Sequence, residues 1–297
     1  MFRLKMPPLD SSRIFLSAGI ILLGQGLAGF PLQADEPATK NGETGVEKEA
    51  DKGEDSALMK QARLFISQTK VEVLNEDGTP AAVAEALPEP VLTYGDLSRA
   101  LDSSSIWAWK HEGEPIAMMK VEQYIPNGRS LWMFCFSNLS PFKIRMNWEY
   151  QKTPYILEPL QFQPVPGAPV PPESDDRGRQ FQMRMLSREF IAFEKLRKGL
   201  EELRLLPRPL VENIDPATKL TRGAVFGEAV STNPDGSLVL RIAPGKEGKL
   251  EWTYAPVRMS YGGLKLQHKG EDVWTDLQNE MTGHHVRWGY FHISRDQ

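Results

Sequence analysis

From Ile106 the chain alternates between apolar and polar positions. Ile106-Trp107-Ala108-Trp109-Lys110-His111, Ile116 to Val121, Ser130 to Phe136 and Lys143 to Tyr150 are runs of strand length, and Glu112-Gly113-Glu114-Pro115 punctuates the first two. Apolar runs bounded by Gly and Pro predict antiparallel strands joined by tight turns. Upstream the period differs. In Ala57 to Gln68, the residues Leu58, Ala62, Phe65 and Ile66 fall on one helical face, and Lys70 to Leu74 follows as a strand closed by Asp77-Gly78.

Pro154 to Pro172 holds seven prolines, which predicts an extended connection. Ser174-Asp175-Asp176 then offers a helix start. Met183, Leu186, Phe190 and Phe193 recur three and four apart, so one main amphipathic helix is predicted over about 176–196, giving way near Gly199. Beyond it the strand pattern returns at 200–206, 224–230, 237–242, 250–257, 264–268 and 285–293, with turns at Asp235-Gly236, Gly245 to Gly248 and Lys269-Gly270. The predicted class is α+β and predominantly antiparallel β, with strands before and after the helix. A weak internal echo relates 88–124 to 207–243. Each opens on Pro and Val or Leu and runs into two apolar strands around a turn, so a duplicated hairpin unit would show one strand order in both places.

The N-terminus reads differently. Arg3, Lys5 and Arg13 precede the apolar run Ile14 to Leu23, and Ala34 offers a small residue for cleavage, so 1–34 is expected to be a secretory signal. An uncut signal holding the chain at a membrane is the rival, but the compact apolar run is about half the roughly 20 residues of a spanning helix. A lipoprotein anchor is excluded because the single cysteine is Cys135. Residues 35–56 carry eight acids against three lysines and one large aliphatic, Val46, which predicts an acidic disordered linker. Residues 57–297 are then a single β-rich globular domain. The net charge of −4 sits mostly in the linker, so the folded part has no global pull on nucleic acid. One cysteine allows no internal disulfide, and the domain must be held by its core.

Pro88-Glu89-Pro90-Val91-Leu92-Thr93-Tyr94, Ile106-Trp107-Ala108-Trp109 with Glu112-Gly113-Glu114-Pro115, Met185-Leu186-Ser187-Arg188-Glu189-Phe190, and Glu202 to Leu210 carry a resemblance. On these segments the chain resembles a family of uncharacterised exported proteins of planctomycete-type bacteria, loosely over 86–275. It departs from that pattern at Val211-Glu212, where an aromatic often follows Pro-Leu. The resemblance implies an exported address and a fold. It implies no activity, ligand, cofactor or catalytic residue.

Candidate chemistry is sparse. Glu280, His284, His285 and His292 have side chains suited to a metal, but their spacing matches no ligand motif, and adjacent histidines on a strand face opposite sides. Cys135 lies in Trp132-Met133-Phe134-Cys135-Phe136 without a polar sequence neighbour, so an inert core thiol is expected. The chain carries no Gly-x-Ser-x-Gly, Ser-x-x-Lys, P-loop or His-Glu-x-x-His. Gly223 and Gly227 beside a strand suit close packing. Trp107, Trp109, Trp132, Trp148 and Trp252 suit the core more than a ligand platform. Arg184, Arg188, Lys195, Arg197 and Lys198, with Glu189 and Glu194 nearby, predict a solvated, salt-linked helix face, with contact to an anionic polymer or lipid as the minor alternative.

These patterns favour a non-catalytic binding or interaction module of the cell envelope, periplasmic or secreted. Its expected partner is an envelope protein or a polysaccharide, with no nucleic acid and a membrane only where the signal stays uncut. The alternative is an extracytoplasmic enzyme of unknown class, a hydrolase being one option, with a site assembled from dispersed residues. No catalytic, cofactor-binding or metal residue is assigned.

Overall fold

The structure is a computed structural model that describes residues 56–96, 101–124, 131–149, 153–196, 198–245 and 248–277, with the backbone of 283–285 and 288–294. The expected signal and nearly all of the expected linker lie outside these residues. The described residues fall within one compact unit, Gly53–Gln297. They are mostly antiparallel β with two short helices, as the patterning predicts.

The first half opens with α1 (Ala57–Ser67), whose Ser56 cap accepts from the Met59 N–H at 3.2 Å. It continues through β1 (Thr69–Leu74), β2 (Pro80–Ala86), β3 (Leu92–Asp96), β4 (Leu101–His111), β5 (Glu114–Tyr124), β6 (Leu131–Asn138), β7 (Ile144–Trp148), β8 (Tyr155–Leu157) and β9 (Gln163–Pro164). The second half has α2 (Asp176–Ser187), β10 (Phe190–Leu196), β11 (Gly199–Glu202), β12 (Arg204–Leu205), β13 (Val211–Ile214), β14 (Thr221–Val230), β15 (Asn233–Pro244), β16 (Leu250–Arg258), β17 (Gly263–His268), β18 (Glu271–Asp276), β19 (Gly283–His285) and β20 (Trp288–Ser294).

The main helix is shorter than the spacing predicts. It stops at Ser187, and the 188 and 189 amides bond back to the Met185 and Leu186 carbonyls in a tightened last turn. Phe190 to Leu196 is strand β10 instead, with Phe190, Ala192 and Glu194 buried in alternation. Aromatic and β-branched residues in 190–193 favour a strand, and the three-and-four spacing of Phe190 and Phe193 is coincidental with that choice.

The two halves repeat one wiring. In the first, β6, β5, β4, β2, β1, β7 and β8 lie side by side in that order, with β3 pairing β4. In the second, β16, β15, β14 and β12 form one run and β11, β10, β17 and β18 another, with β13 pairing β14. β11 and β12 together take the place of β2. Residue registers coincide at a near-constant offset. The Leu87 amide bonds the Ala108 carbonyl and the Leu206 amide the Gly227 carbonyl, both at 2.9 Å; Val91 to Ile106 and Leu210 to Val225 are both 2.8 Å. Even the β-bulge recurs, at Trp109/Lys110 and at Glu228/Ala229. The segments 88–124 and 207–243 therefore share strand order and register, and the likeness extends well beyond them.

The halves also exchange strands. β9, which follows the first half, pairs with β16 of the second, and β20, which follows the second, pairs with β6 of the first. Such reciprocity is the signature of a two-fold relation.

Each half has its own core beneath its helix. Phe65 of α1 meets Trp132, Phe134 and Trp148 edge-on at 5.0–6.2 Å between ring centroids. In the second half, Met183 and Leu186 of α2 pack with Phe226, Trp252 and Tyr254. Trp252 is the counterpart of Trp132, and its indole donates to the Gln182 side chain at 2.9 Å. A third core lies between the halves and takes matched residues from both: Ile106 with Val225, Leu139 with Met259. The five tryptophans named above are all buried, as expected of core residues. Each fully buried Trp or Phe contributes about 1.5–3 kcal/mol or more of apolar transfer.

Candidate functional site

A polar cluster is set into the core between the halves. Lys120 on β5 is 1% exposed; its ammonium donates to Asn233 Oδ1 at 3.0 Å and to the Pro234 carbonyl at 2.9 Å. It pairs with Glu122 and Asp235, each at 3.3 Å. Tyr94 donates its hydroxyl to Glu122 at 2.8 Å. Burial pulls the Lys120 ammonium down, but the Glu122 and Asp235 carboxylates outweigh it, and the pKa lies above the usual lysine value. Burial, then Glu122, pushes the Tyr94 hydroxyl well up. The counterpart of Lys120 is Val239 and that of Asp235 is Ile116, so the cluster is a departure from symmetry within the seam. Its charges are satisfied within the fold, and the arrangement locks two sheets together.

Cys135 is 2% exposed beside this cluster, opposite Lys120 on the neighbouring strand. Burial pushes its thiol up to about 12, with Lys120 offsetting only part of that shift. A thiol so poised stays protonated at neutral pH and is a poor nucleophile. Glu228 is 3% exposed and takes the place of Trp109 in the repeat, next to Gly236, Leu203 and Leu264. Burial alone raises its carboxyl to about 8.

Among the described residues, the cavities at the surface of the second half include two with arginines in their lining. One, of about 430 Å³, is lined by arginines that the fold already engages. Arg241 bonds Glu114 at 2.8 Å, Arg222 bonds Asp215, and Arg179 donates to the carbonyls of Pro172, Glu173 and Thr221. The other, of about 540 Å³, lies between the end of α2, the start of β10 and the link through β11 and β12. Phe190, Leu203 and Phe226 give it apolar walls, and Glu202 lines it together with Arg184, Arg188 and Arg204, the last donating to the Ser231 carbonyl at 3.0 Å. All three arginines are exposed, and the guanidiniums of Arg184 and Arg188 have no partner among the described residues.

The expected salt-linked helix face does not form around these arginines. Because the helix ends at Ser187, Glu189 turns to His268 and Lys269 at 3.0 and 3.1 Å, and Glu194 accepts from Ser260 at 2.9 Å inside the core. Lys195 lies on β10 and Lys198 beyond it, while Arg197 lies outside the described residues.

The first half is an internal control for this cavity. The counterpart of Arg184 is Arg63, which lies 5.5 Å over the Trp107 ring, donates to the Pro88 carbonyl at 2.7 Å and pairs with Glu89 at 2.6 Å. It thus spans from helix to link and is neutralised there. In the second half Phe226 replaces Trp107, Pro207 matches Pro88, and Arg208 replaces Glu89. A smaller ring leaves space, and a reversed charge removes the arginine's partner. The sequence carried this signal in Leu87-Pro88-Glu89-Pro90 against Leu206-Pro207-Arg208-Pro209.

The side chains of Glu280, His284, His285 and His292 lie outside the described residues. Among the described residues no group of three His, Cys, Asp or Glu side chains is placed to hold a metal, and no helix is long and apolar enough to cross a membrane. Gly223 and Gly227 are close-packing positions, against the Leu240–Arg241 backbone and the Leu206 and Leu210 side chains. No protein-family model, curated protein or solved structure matches the chain.

Proposed function

We propose that the protein is a non-catalytic binding module of the cell envelope whose ligand site is the cavity beside α2. One observation carries this reading. The cavity gathers apolar walls and the Arg184 and Arg188 guanidiniums, which have no partner among the described residues, at the place where the other half closes itself with Arg63 and Glu89. Its volume is within the range of small-molecule sites, roughly 300–1,000 Å³. Ser187 is the one hydroxyl in the lining, and its proton is engaged with the Arg184 carbonyl at 3.0 Å rather than with a general base. The test is native mass spectrometry of the full chain after incubation with small molecules extracted from the envelope. A one-to-one adduct released unchanged supports the reading; no adduct, or a released molecule of altered mass, overturns it.

Export belongs to the same proposal. It is supported by the basic, apolar and small-residue order of 1–34 and by the acidic stretch after it. Sequencing the N-terminus of protein from cell fractions is expected to find a start near Asp35 outside the cytoplasm. An intact Met1 on cytosolic material would overturn it.

A further inference from the structure

We infer that the cavity beside α2 takes an amphiphilic anion, an aliphatic chain ended by a carboxylate or a phosphate; this rests on the binding role proposed above. Arg184 and Arg188 stand one helical turn apart on the cavity's rim; of the other charged residues in the lining, Arg204 is held by the Ser231 carbonyl at 3.0 Å and Glu202 is the one carboxylate. Two guanidiniums at that spacing repel each other unless an anion sits between them. Cations are favoured at a helix C-terminus, which accounts for Arg184 and Arg188 being there. It does not account for Arg208 standing where the first half has the neutralising Glu89, which leaves Arg184 without the partner that Arg63 has. Guanidinium forks match carboxylate and phosphate oxygens in pairs of hydrogen bonds. Behind the arginines, Phe190, Leu203 and Phe226 offer walls without a charge, and the exposed Ile191 extends that apolar surface. A head group alone leaves those walls wet, and an uncharged chain leaves the arginines unpaired. An amphiphilic anion satisfies both.

Calorimetric titration of the full chain tests this with dodecanoate and dodecyl phosphate, each below its micelle concentration. Dodecyltrimethylammonium and inorganic phosphate are the counter-probes. One or both anionic amphiphiles are expected to bind one-to-one, and their ratio tells a carboxylate from a phosphate preference. Affinity is expected to fall tenfold or more in Arg184→Gln/Arg188→Gln. It is also expected to fall in Phe226→Trp, which installs the first half's ring, while Arg63→Gln keeps wild-type affinity. Thermal melts establish that each variant is folded. Equal binding of the cationic amphiphile, equal binding of inorganic phosphate, or unchanged affinity in the double variant overturns the inference. If neither anion binds while the envelope extract still yields an adduct, this ligand class is wrong and the binding role stands. If both fail, both are wrong.

Discussion

Gly113 and Ile214 meet across the seam between the halves: a Cβ on Gly113 would lie 2.6 Å from the Ile214 carbonyl oxygen, and the Gly113 φ is +82°. The reciprocal contact is made by their counterparts. Thr232 donates its hydroxyl to the Gly95 carbonyl at 2.5 Å. Each half thus pins the tip of its β-hairpin onto the other's edge strand, and a side chain at 113 has nowhere to go. Gly113→Ala is expected to cost roughly 1–3 kcal/mol, read as a lower urea midpoint. Gly78→Ala is the control, since Gly78 has φ +83° and nothing within 4 Å of its added Cβ. It is expected to cost less, about 1 kcal/mol. Equal losses at both sites would mean that the seam contact contributes nothing.

Lys120 ties the same seam by charge. Removing it leaves Glu122 and Asp235 buried without their cation, so Lys120→Val is expected to destabilise by about 3–5 kcal/mol. Asp235→Ile, made together with it, gives both positions their counterparts' residues. The double variant is expected to be more stable than the sum of the single losses, with a coupling of about 1–3 kcal/mol in urea melts. Strict additivity would place the two residues in separate interactions.

Glu72 makes stability fall in acid. Its carboxylate accepts from Arg145 and Asn147, each at 2.8 Å, and pairs with Lys70 at 2.7 Å. The Lys70 bond leads in holding it down to about 2 against an ordinary 4.5, with burial opposing. Above pH 4.5 the folded and unfolded chains both carry the charge, and the gain is complete. It is lost as pH falls through about 2, because the unfolded chain takes up its proton first. Glu72→Gln is expected to lower stability at pH 7 by on the order of 2–3 kcal/mol and to flatten the melting-temperature slope between pH 5 and pH 2. A slope unchanged in Glu72→Gln would assign the acid sensitivity to other carboxylates.

The fold was legible wherever residues alternated under strong apolar contrast, as at Trp107 and Trp109 in β4 or Leu238 and Leu240 in β15. β2 was not, because Pro80-Ala81-Ala82-Val83-Ala84-Glu85-Ala86 has little contrast between its two faces. The boundary of α2 was hidden by Phe190 and Phe193, whose spacing suits a helix as well as a strand, and a local pattern does not say which tertiary face wins. That error also concealed the site. Extending the helix to 196 sets Glu189 and Glu194 beside Arg184 and Arg188, whereas the real turn at 188–189 sends both acids elsewhere. The repeat was legible only in part. Leu-Pro-x-Pro survives in both halves, and Trp132 keeps its match in Trp252, but most matched pairs keep their register and burial while changing residue. Val239 in the place of Lys120 and Glu228 in the place of Trp109 are such pairs. Symmetry of backbone pairing is visible in coordinates and invisible in residue identity.

Glu228 gives the opposite pH dependence from Glu72, because the position it holds is apolar. Its carboxyl group shares the space over Gly236 with the Leu203 and Leu264 side chains, its counterpart is a buried tryptophan, and burial raises the carboxyl to about 8. Folded chain therefore keeps the proton up to about pH 8, whereas unfolded chain releases it near the ordinary value of 4.5. Between those two values the folded state binds more protons, so stability is full below pH 4.5 and declines as pH rises through about 8. The loss at pH 9 is on the order of a few kcal/mol. Glu228→Gln keeps the shape, removes the ionisation and is expected to raise the melting temperature at pH 8–9 while changing little at pH 4.5. A Glu228→Gln curve parallel to wild type from pH 4.5 to pH 9 would show that the carboxyl titrates normally and that water reaches it.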